Sequence, residues 1–251
     1  MPVTGPIQAV IFDFGYTLIN FEGDYKRVIR ESYLVMAQSL RAAGYLINAR
    51  EFAERFDGII NGYYRAREED LIERPIEQYL AQVLASYEIY DPLKSLVEGA
   101  IENMYRTTES HWQLESDALP TLQALKDAGF RLGMITNAAN ADNANRLIDQ
   151  FNLRQYFEFV LISAIERIRK PDTRIYARAM SRLELPAGSA VMVGDTLTAD
   201  ILGAQNAGLR AIWVTRRADR PANRLAAESI TPDAVIESLA GLPAALIELQ
   251  A

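Results

Sequence analysis

Apolar residues fall into two patterns along the chain. The first is a set of short runs, apolar at every position: Ala9-Val10-Ile11-Phe12, Leu132-Gly133-Met134-Ile135, Phe159-Val160-Leu161-Ile162, Ala190-Val191-Met192-Val193, Ala211-Ile212-Trp213-Val214 and Ala234-Val235-Ile236. Runs of this length suit strands buried on both faces. Helical spacing separates them. Ser116 or Asp117 can cap a helix carrying Leu119, Leu122 and Leu125, ended by Gly129. Ile175, Ala179 and Leu183 recur within residues 172–185, and residues 200–207 read as a short helix stopped by Gly208. The alternation predicts an α/β fold with a doubly wound parallel sheet. Ligands in such sheets bind beyond the carboxyl ends of the strands.

The second pattern covers residues 21–111, where the alternation breaks. Tyr33, Leu34, Met36 and Leu40, then Phe52, Phe56, Ile59 and Ile60, then Ile76, Tyr79, Leu80 and Val83, then Leu96, Ile101 and Met104 follow helical periods. No convincing strand is evident. The segment reads as an all-helical insert, so the expected domains are an α/β core of residues 1–20 and 112–251 and a helical domain of residues 21–111. In the insert, Tyr63, Tyr64, Arg65 and Arg67 precede Glu68, Glu69 and Asp70, which reads as a solvated helix face with internal ion pairs. Arg216 to Asn223 reads as a surface loop.

Composition narrows the chemistry. The chain has 251 residues, of which 49% are apolar and 24% charged, ordinary for a globular protein. Its net charge of −7 disfavours a nucleic-acid partner. No cysteine is present, which excludes disulfides, thiolate metal sites and cysteine nucleophiles. The single histidine, His111, cannot build a histidine-rich metal site and reads as a surface or hinge residue. No apolar stretch approaches the roughly 20 residues that span a bilayer. The N-terminal residues lack the pattern of a secretory signal. The expectation is a cytoplasmic protein with neither membrane nor nucleic acid as partner, a monomer or a homodimer.

Four segments lie at or just beyond expected strand ends: Asp13-Phe14-Gly15-Tyr16-Thr17-Leu18, Thr136-Asn137, Lys170-Pro171-Asp172, and Gly194-Asp195-Thr196-Leu197-Thr198-Ala199-Asp200. A doubly wound sheet gathers such ends. Asp13, Asp195 and Asp200 would then crowd three carboxylates into one crevice. Two like charges about 4 Å apart repel by roughly 4 kcal/mol at an effective dielectric near 20, so the cluster needs a cation. With only oxygen ligands at hand, Mg2+ is the natural choice. Lys170 could neutralise further negative charge, and the Thr136 hydroxyl with neighbouring N–H groups could hold phosphate oxygens. A carboxylate in line with phosphorus is a plausible nucleophile.

In order, spacing and flanking residues, these segments resemble the four motifs of the haloacid dehalogenase superfamily. The helical insert is similar to that family's cap at its usual position. The resemblance implies a phosphatase acting on a small phosphorylated metabolite through an aspartyl-phosphate on Asp13. It implies metal binding by Asp13, the Gly15 carbonyl, Asp195 and Asp200. It makes Thr136, Asn137 and Lys170 phosphoryl contacts, gives Thr17 a role in stabilising the first loop, and leaves Tyr16 as a substrate contact. Cap closure would exclude water and supply specificity.

One position departs from the pattern. Phosphatases of this family usually carry a second aspartate two residues after the nucleophile, which protonates the leaving oxygen. Gly15 stands there. General acid–base help is typically worth about 10²- to 10⁴-fold. The expectation is therefore a slow enzyme, one limited to good leaving groups, or one that borrows an acid from its substrate, Tyr16 or the cap. The rivals are a catalytically degenerate binding protein, a dehalogenase and a phosphonatase. The last needs a Schiff-base lysine, for which the insert offers only Lys26 and Lys94.

Overall fold

The computed structural model describes residues 5–250. The elements run β1 (Ala9–Phe12), β2 (Ile19–Phe21), α1 (Tyr25–Ala42), α2 (Ala49–Asp70), α3 (Ile76–Ala85), α4 (Lys94–Glu109), β3 (Trp112–Leu114), α5 (Ala118–Asp127), β4 (Arg131–Thr136), α6 (Ala141–Gln150), β5 (Phe159–Ile162), α7 (Ser163–Glu166), α8 (Thr173–Leu183), β6 (Ala190–Gly194), α9 (Gly203–Asn206), β7 (Arg210–Val214), α10 (Pro221–Ala226), β8 (Ala234–Ile236) and α11 (Leu242–Glu248). No helix among the described residues is long and apolar enough to cross a membrane.

Six strands form one sheet in the order β5-β4-β1-β6-β7-β8, every neighbouring pair parallel. The α/β, doubly wound fold expected from the apolar runs is the one observed. All four residues of β1 are fully buried, as a central strand with covered faces requires. The first expected helix starts at Ala118 with Asp117 at its N-cap, but the Asp117 side chain does not cap it. It bonds Arg216 and the Ala240 N–H instead. Asp172 does cap α8, accepting from the Arg174 N–H at 2.9 Å.

The register sets up the site. Phe12 lies level with Met134 on one side and Val193 on the other. Asp13 N–H then donates to Val193 O at 2.9 Å, which pins the next residue to the rim of the sheet. From β1 the chain order diverges toward β4 and toward β6. This is the switch point where such sheets open a crevice.

Two expectations change in detail. The helix expected from Asp200 begins earlier, as a wide π-helical turn over Leu197–Leu202 that α9 continues. Such turns recur at functional sites. Strands β2 and β3 pair as a separate two-stranded ribbon. With three residues each, they carry no apolar run that periodicity could detect.

The chain divides into two compact units, one of Met1–Asn20, Leu114–Ala138 and Ile148–Ala251, the other of Phe21–Gln113 and Ala139–Leu147. The first holds the sheet. Its core includes Ile11, Ile135, Leu161, Tyr176, Met192 and Ile212. The second is built on helices α1 to α4, whose core includes Tyr33, Met36, Phe52, Phe56, Leu80 and Met104. Glu109 of α4 takes hydrogen bonds from Asn143 and Arg146 of α6, at 2.9 and 2.8 Å. That is why residues 139–147 group with the helices. The face around Tyr63 is not solvated throughout. Tyr63 is buried and bonds the buried Glu73, and the Arg67 guanidinium lies over the rings of both Tyr63 and Tyr64. His111 stacks on Phe21, with its Nδ1 3.0 Å from Glu22 O.

Candidate active site

Asp13 is buried at the end of β1. The loop after it is a tight turn: Leu18 N–H and Ile19 N–H both donate to Phe14 O, at 2.9 and 3.1 Å. Gly15 bridges Ile19, and Tyr16 takes a left-handed backbone with φ 64°. A tyrosine there is uncommon and holds some backbone strain, which tends to collect at functional loops. Within the turn, the buried Thr17 hydroxyl donates to Asp13 Oδ2 at 3.3 Å.

Lys170 enters from the segment before α8. Its Nζ donates to Asp13 Oδ1 and to Asp200 Oδ1, both at 2.6 Å. Its side chain is 2% exposed. Burial works against its charge, but the two aspartates outweigh burial and hold the ammonium pKa above its ordinary value. Asn137, just past β4, fixes the lysine's backbone. Its Oδ1 accepts from Lys170 N–H at 2.9 Å and its Nδ2 donates to Lys170 O at 2.9 Å. The Asn137 side chain is thus engaged with the Lys170 backbone. Thr136 closes β4 and is buried. Ser163 Oγ links this loop to the end of β5, accepting from Ala138 N–H at 2.9 Å.

Asp195 follows β6, and Asp200 is turned inward by the π-helical turn. Asp200 Oδ2 accepts from Thr196 N–H at 2.9 Å. A Cβ on Gly194 would fall 2.3 Å from Asp200 Cγ, so only glycine lets the carboxylate cross the end of β6. A Cβ on Gly203 would stand 2.8 Å from both Pro171 Cα and the Tyr176 hydroxyl, so that glycine lets the lysine segment pack on the turn.

Asp13, Asp195 and Asp200 offer carboxylate oxygens within 4.8 Å of one another, and all three residues are buried. Burial, then the neighbouring charges of Asp13 and Asp200, push the Asp195 pKa well above the carboxylate range. Asp200 is pushed up to about 6, by burial first, with Lys170 opposing. Buried carboxylates so strained electrostatically fit a divalent cation with oxygen ligands. Both oxygens of each carboxylate have protein partners: Lys170 and Thr17 at Asp13, Thr196 and Arg220 at Asp195, Lys170 and Thr196 at Asp200.

Three contributors were missed in the sequence. Arg220 pairs with the Asp195 carboxylate, and its guanidinium lies 4.3 Å from the Tyr16 ring centroid. Asn223, buried, accepts from Leu197 N–H at 2.9 Å and donates to Asp195 O at 2.8 Å. Trp213 Nε1 donates to the same carbonyl at 2.9 Å. Residues 216–223 are therefore not merely a surface loop: Ala218 and Asn223 are buried, and α10 starts at Pro221. The available signal was a cluster of arginines directly past a strand end in an acidic chain. Tyr16 is half-buried. Burial raises its pKa, Arg220 opposes and Asp195 adds.

The strand ends of the parallel sheet gather a rim aspartate, a buried lysine and two further carboxylates, the arrangement of a hydrolase site. Residues 7–208 match the sequence model of the haloacid dehalogenase-like hydrolases, and the chain belongs to that family. It is 32% identical over 126 residues to the glyceraldehyde 3-phosphate phosphatase of Methanopyrus kandleri, covering 50% of this chain and 54% of that one. The chain thus spans about half the length of that curated relative. Among solved structures it is similar to a HAD phosphatase from Thermococcus onnurineus (25% identity, TM-score 0.63, covering 96% and 98% of the two chains). It is also similar to a 2-haloacid dehalogenase from Pseudomonas syringae (28% identity, TM-score 0.68, covering 96% and 99%).

Proposed function

We propose that the chain is a Mg2+-dependent phosphatase that cleaves a small phosphorylated metabolite through an aspartyl-phosphate on Asp13. The observation that carries this reading is the contact of Lys170 with both Asp13 and Asp200 inside a three-carboxylate cluster. The phosphatase names of two of the similar proteins support it.

In the reaction, an Asp13 carboxylate oxygen forms a bond to phosphorus, and the bond from phosphorus to the ester oxygen breaks. A water then attacks the same phosphorus and frees Asp13. Lys170 offsets charge on the nucleophile and the transferring group. Thr17 orients Asp13 through its second oxygen. The Thr136 hydroxyl and the Asn137 N–H serve the phosphoryl oxygens. Asp13, the Gly15 carbonyl, Asp195 and Asp200 are the groups that would hold Mg2+, which would draw charge from the phosphoryl oxygens.

The leaving oxygen needs a proton, and Gly15 has no side chain to give one. Tyr16, with its pKa raised, is a weaker acid than free tyrosine. The reading therefore favours substrates whose leaving group departs unprotonated or carries its own acid. The test is phosphate release from a panel of phosphate esters and acyl phosphates, with and without Mg2+, for wild type and Asp13→Asn. Metal-dependent release lost in the variant is expected; release unchanged by Asp13→Asn would refute the nucleophile.

A second reading, hydrolysis of a 2-haloacid, has one observation in its favour: Asp195 already has a cationic partner in Arg220. Halide release from a 2-haloacid without Mg2+ would establish it. The phosphonatase alternative fits poorly. Lys26 is exposed, and the Lys94 side chain is 89% exposed beside Glu98, far from the desolvation that activates an amine.

A further inference from the structure

The cations at the three-carboxylate cluster differ in how firmly they are held. Lys170 is sealed, 2% exposed, and shared between Asp13 and Asp200. Arg220 serves Asp195 alone among the three carboxylates, and its side chain is 36% exposed. It comes from the loop after β7 and rests on the face of Tyr16, a cation–π contact independent of the carboxylate. The Asp195 main chain is fixed independently, because its carbonyl accepts from both Trp213 Nε1 and Asn223 Nδ2. The backbone that carries the carboxylate is therefore held without help from Arg220. A partly exposed guanidinium can itself withdraw into water, leaving the buried Asp195 carboxylate to the incoming cation, whereas Lys170 is sealed in with its partners.

We propose that Arg220 competes with the divalent cation for the Asp195 carboxylate, acting as its counter-ion in the metal-free protein and setting the metal affinity of the site. The inference rests on the reading of Asp13, Asp195 and Asp200 as a metal site. The physical basis is simple. One carboxylate cannot give its full charge to both a guanidinium and a dication. A fixed positive charge beside the ion also repels it, by an amount that is large at short range in a partly buried site. Displacing Arg220 thus weakens metal binding relative to the same cluster without it. In return, the metal-free site avoids a buried carboxylate with no cation.

The experiment is a calorimetric Mg2+ titration of the full chain at low ionic strength, for wild type, Arg220→Gln and Arg220→Lys. Arg220→Gln removes the charge and keeps polar reach, and should bind Mg2+ about tenfold more tightly, a difference of about 1.4 kcal/mol. Arg220→Lys keeps the charge and should stay within about threefold of wild type, less than half that difference. The metal-free melting temperature of Arg220→Gln should be lower than that of wild type, and saturating Mg2+ should raise it by a larger increment. A second readout needs no variant. In 15N-labelled wild-type protein, the Arg220 Nε–H resonance should shift as Mg2+ saturates the site. Equal or weaker Mg2+ binding by Arg220→Gln, or an Arg220 resonance indifferent to Mg2+, overturns the competition and leaves the metal site standing. An absence of Mg2+ binding by wild type and both variants overturns the metal site and the competition with it.

Discussion

Asn137 grips the backbone of Lys170 from both sides, taking its N–H and giving to its carbonyl, each at 2.9 Å. Two segments from different strand ends are joined there by one side-chain amide. The lysine reaches Asp13 and Asp200 from a fixed origin rather than from a free loop. Asn137→Ala leaves two backbone groups short of partners, at about 1–3 kcal/mol if they stay unsatisfied. It should lower kcat by about 10- to 100-fold, since small misplacements of reacting groups have effects of that order. KM should change much less. Steady-state kinetics with a thermal melt separate the two effects. A variant with full kcat would show that Lys170 holds its position without Asn137.

Gly194→Ala tests the crossing of Asp200 over the end of β6. The added methyl would meet Asp200 Cγ at 2.3 Å, with the β6 backbone fixed between β1 and β7. Overpacking of this kind typically costs about 1–3 kcal/mol. Displacing Asp200 should also release Lys170 and weaken Mg2+ binding. The expected result is a lower melting temperature together with a weaker Mg2+ isotherm. A destabilised variant with unchanged Mg2+ affinity would mean that Asp200 has no part in holding the cation.

Gly15→Asp asks whether a proton is what the site lacks. If protonation of the leaving oxygen limits turnover, restoring a carboxyl should raise kcat toward esters with poor leaving groups by about 10²- to 10⁴-fold. Substrates with good leaving groups should gain little. A loss with every substrate would show that the native site uses glycine for its own chemistry.

Asp117 makes a separate prediction about acid stability. Burial raises its pKa, but hydrogen bonds from Arg216 and the Ala240 N–H outweigh burial, so the carboxyl lies below its ordinary 3.8. A folded-state pKa below the unfolded value gives stability that is fully present above the unfolded value and lost as pH falls through the folded one. Asp117→Asn should therefore destabilise the chain at pH 7 and close much of the gap to wild type below about pH 4. Urea unfolding at both pH values measures this. A gap that stays constant across that window would contradict the assignment.

Much of the sheet was legible because buried parallel strands must be apolar on both faces, and β1, β4, β5, β6 and β7 show this as apolar runs; β8, at the sheet edge, carries such a run but leaves Val235 exposed. The aspartates and the lysine were legible because their spacing matches known motifs at the ends of those runs. Arg220 and Asn223 were not. A polar residue in a loop has no period, and the partners of these two, Asp195 and its carbonyl, lie 25 and 28 positions away. Glu73 was hidden in the same way. It follows a run of surface charges in α2, and only the folded helices reveal that it is buried against Tyr63. The side-chain partners of Asn137 were hidden for a related reason: its position at a strand end announced the site but not which way the amide turns.

On the proposed function, Asp13 is the atom donor to phosphorus. The most direct measurement is a rapid acid quench of wild-type protein turning over a phosphorylated substrate with Mg2+, followed by borohydride reduction and mass spectrometry of the peptide containing Asp13. An acyl phosphate at that carboxyl is reduced to an alcohol, so homoserine at position 13, formed only with substrate present, is the predicted result. Phosphate released through many turnovers with Asp13 recovered unmodified at every quench time, and Asp13→Asn equally active, would contradict the account.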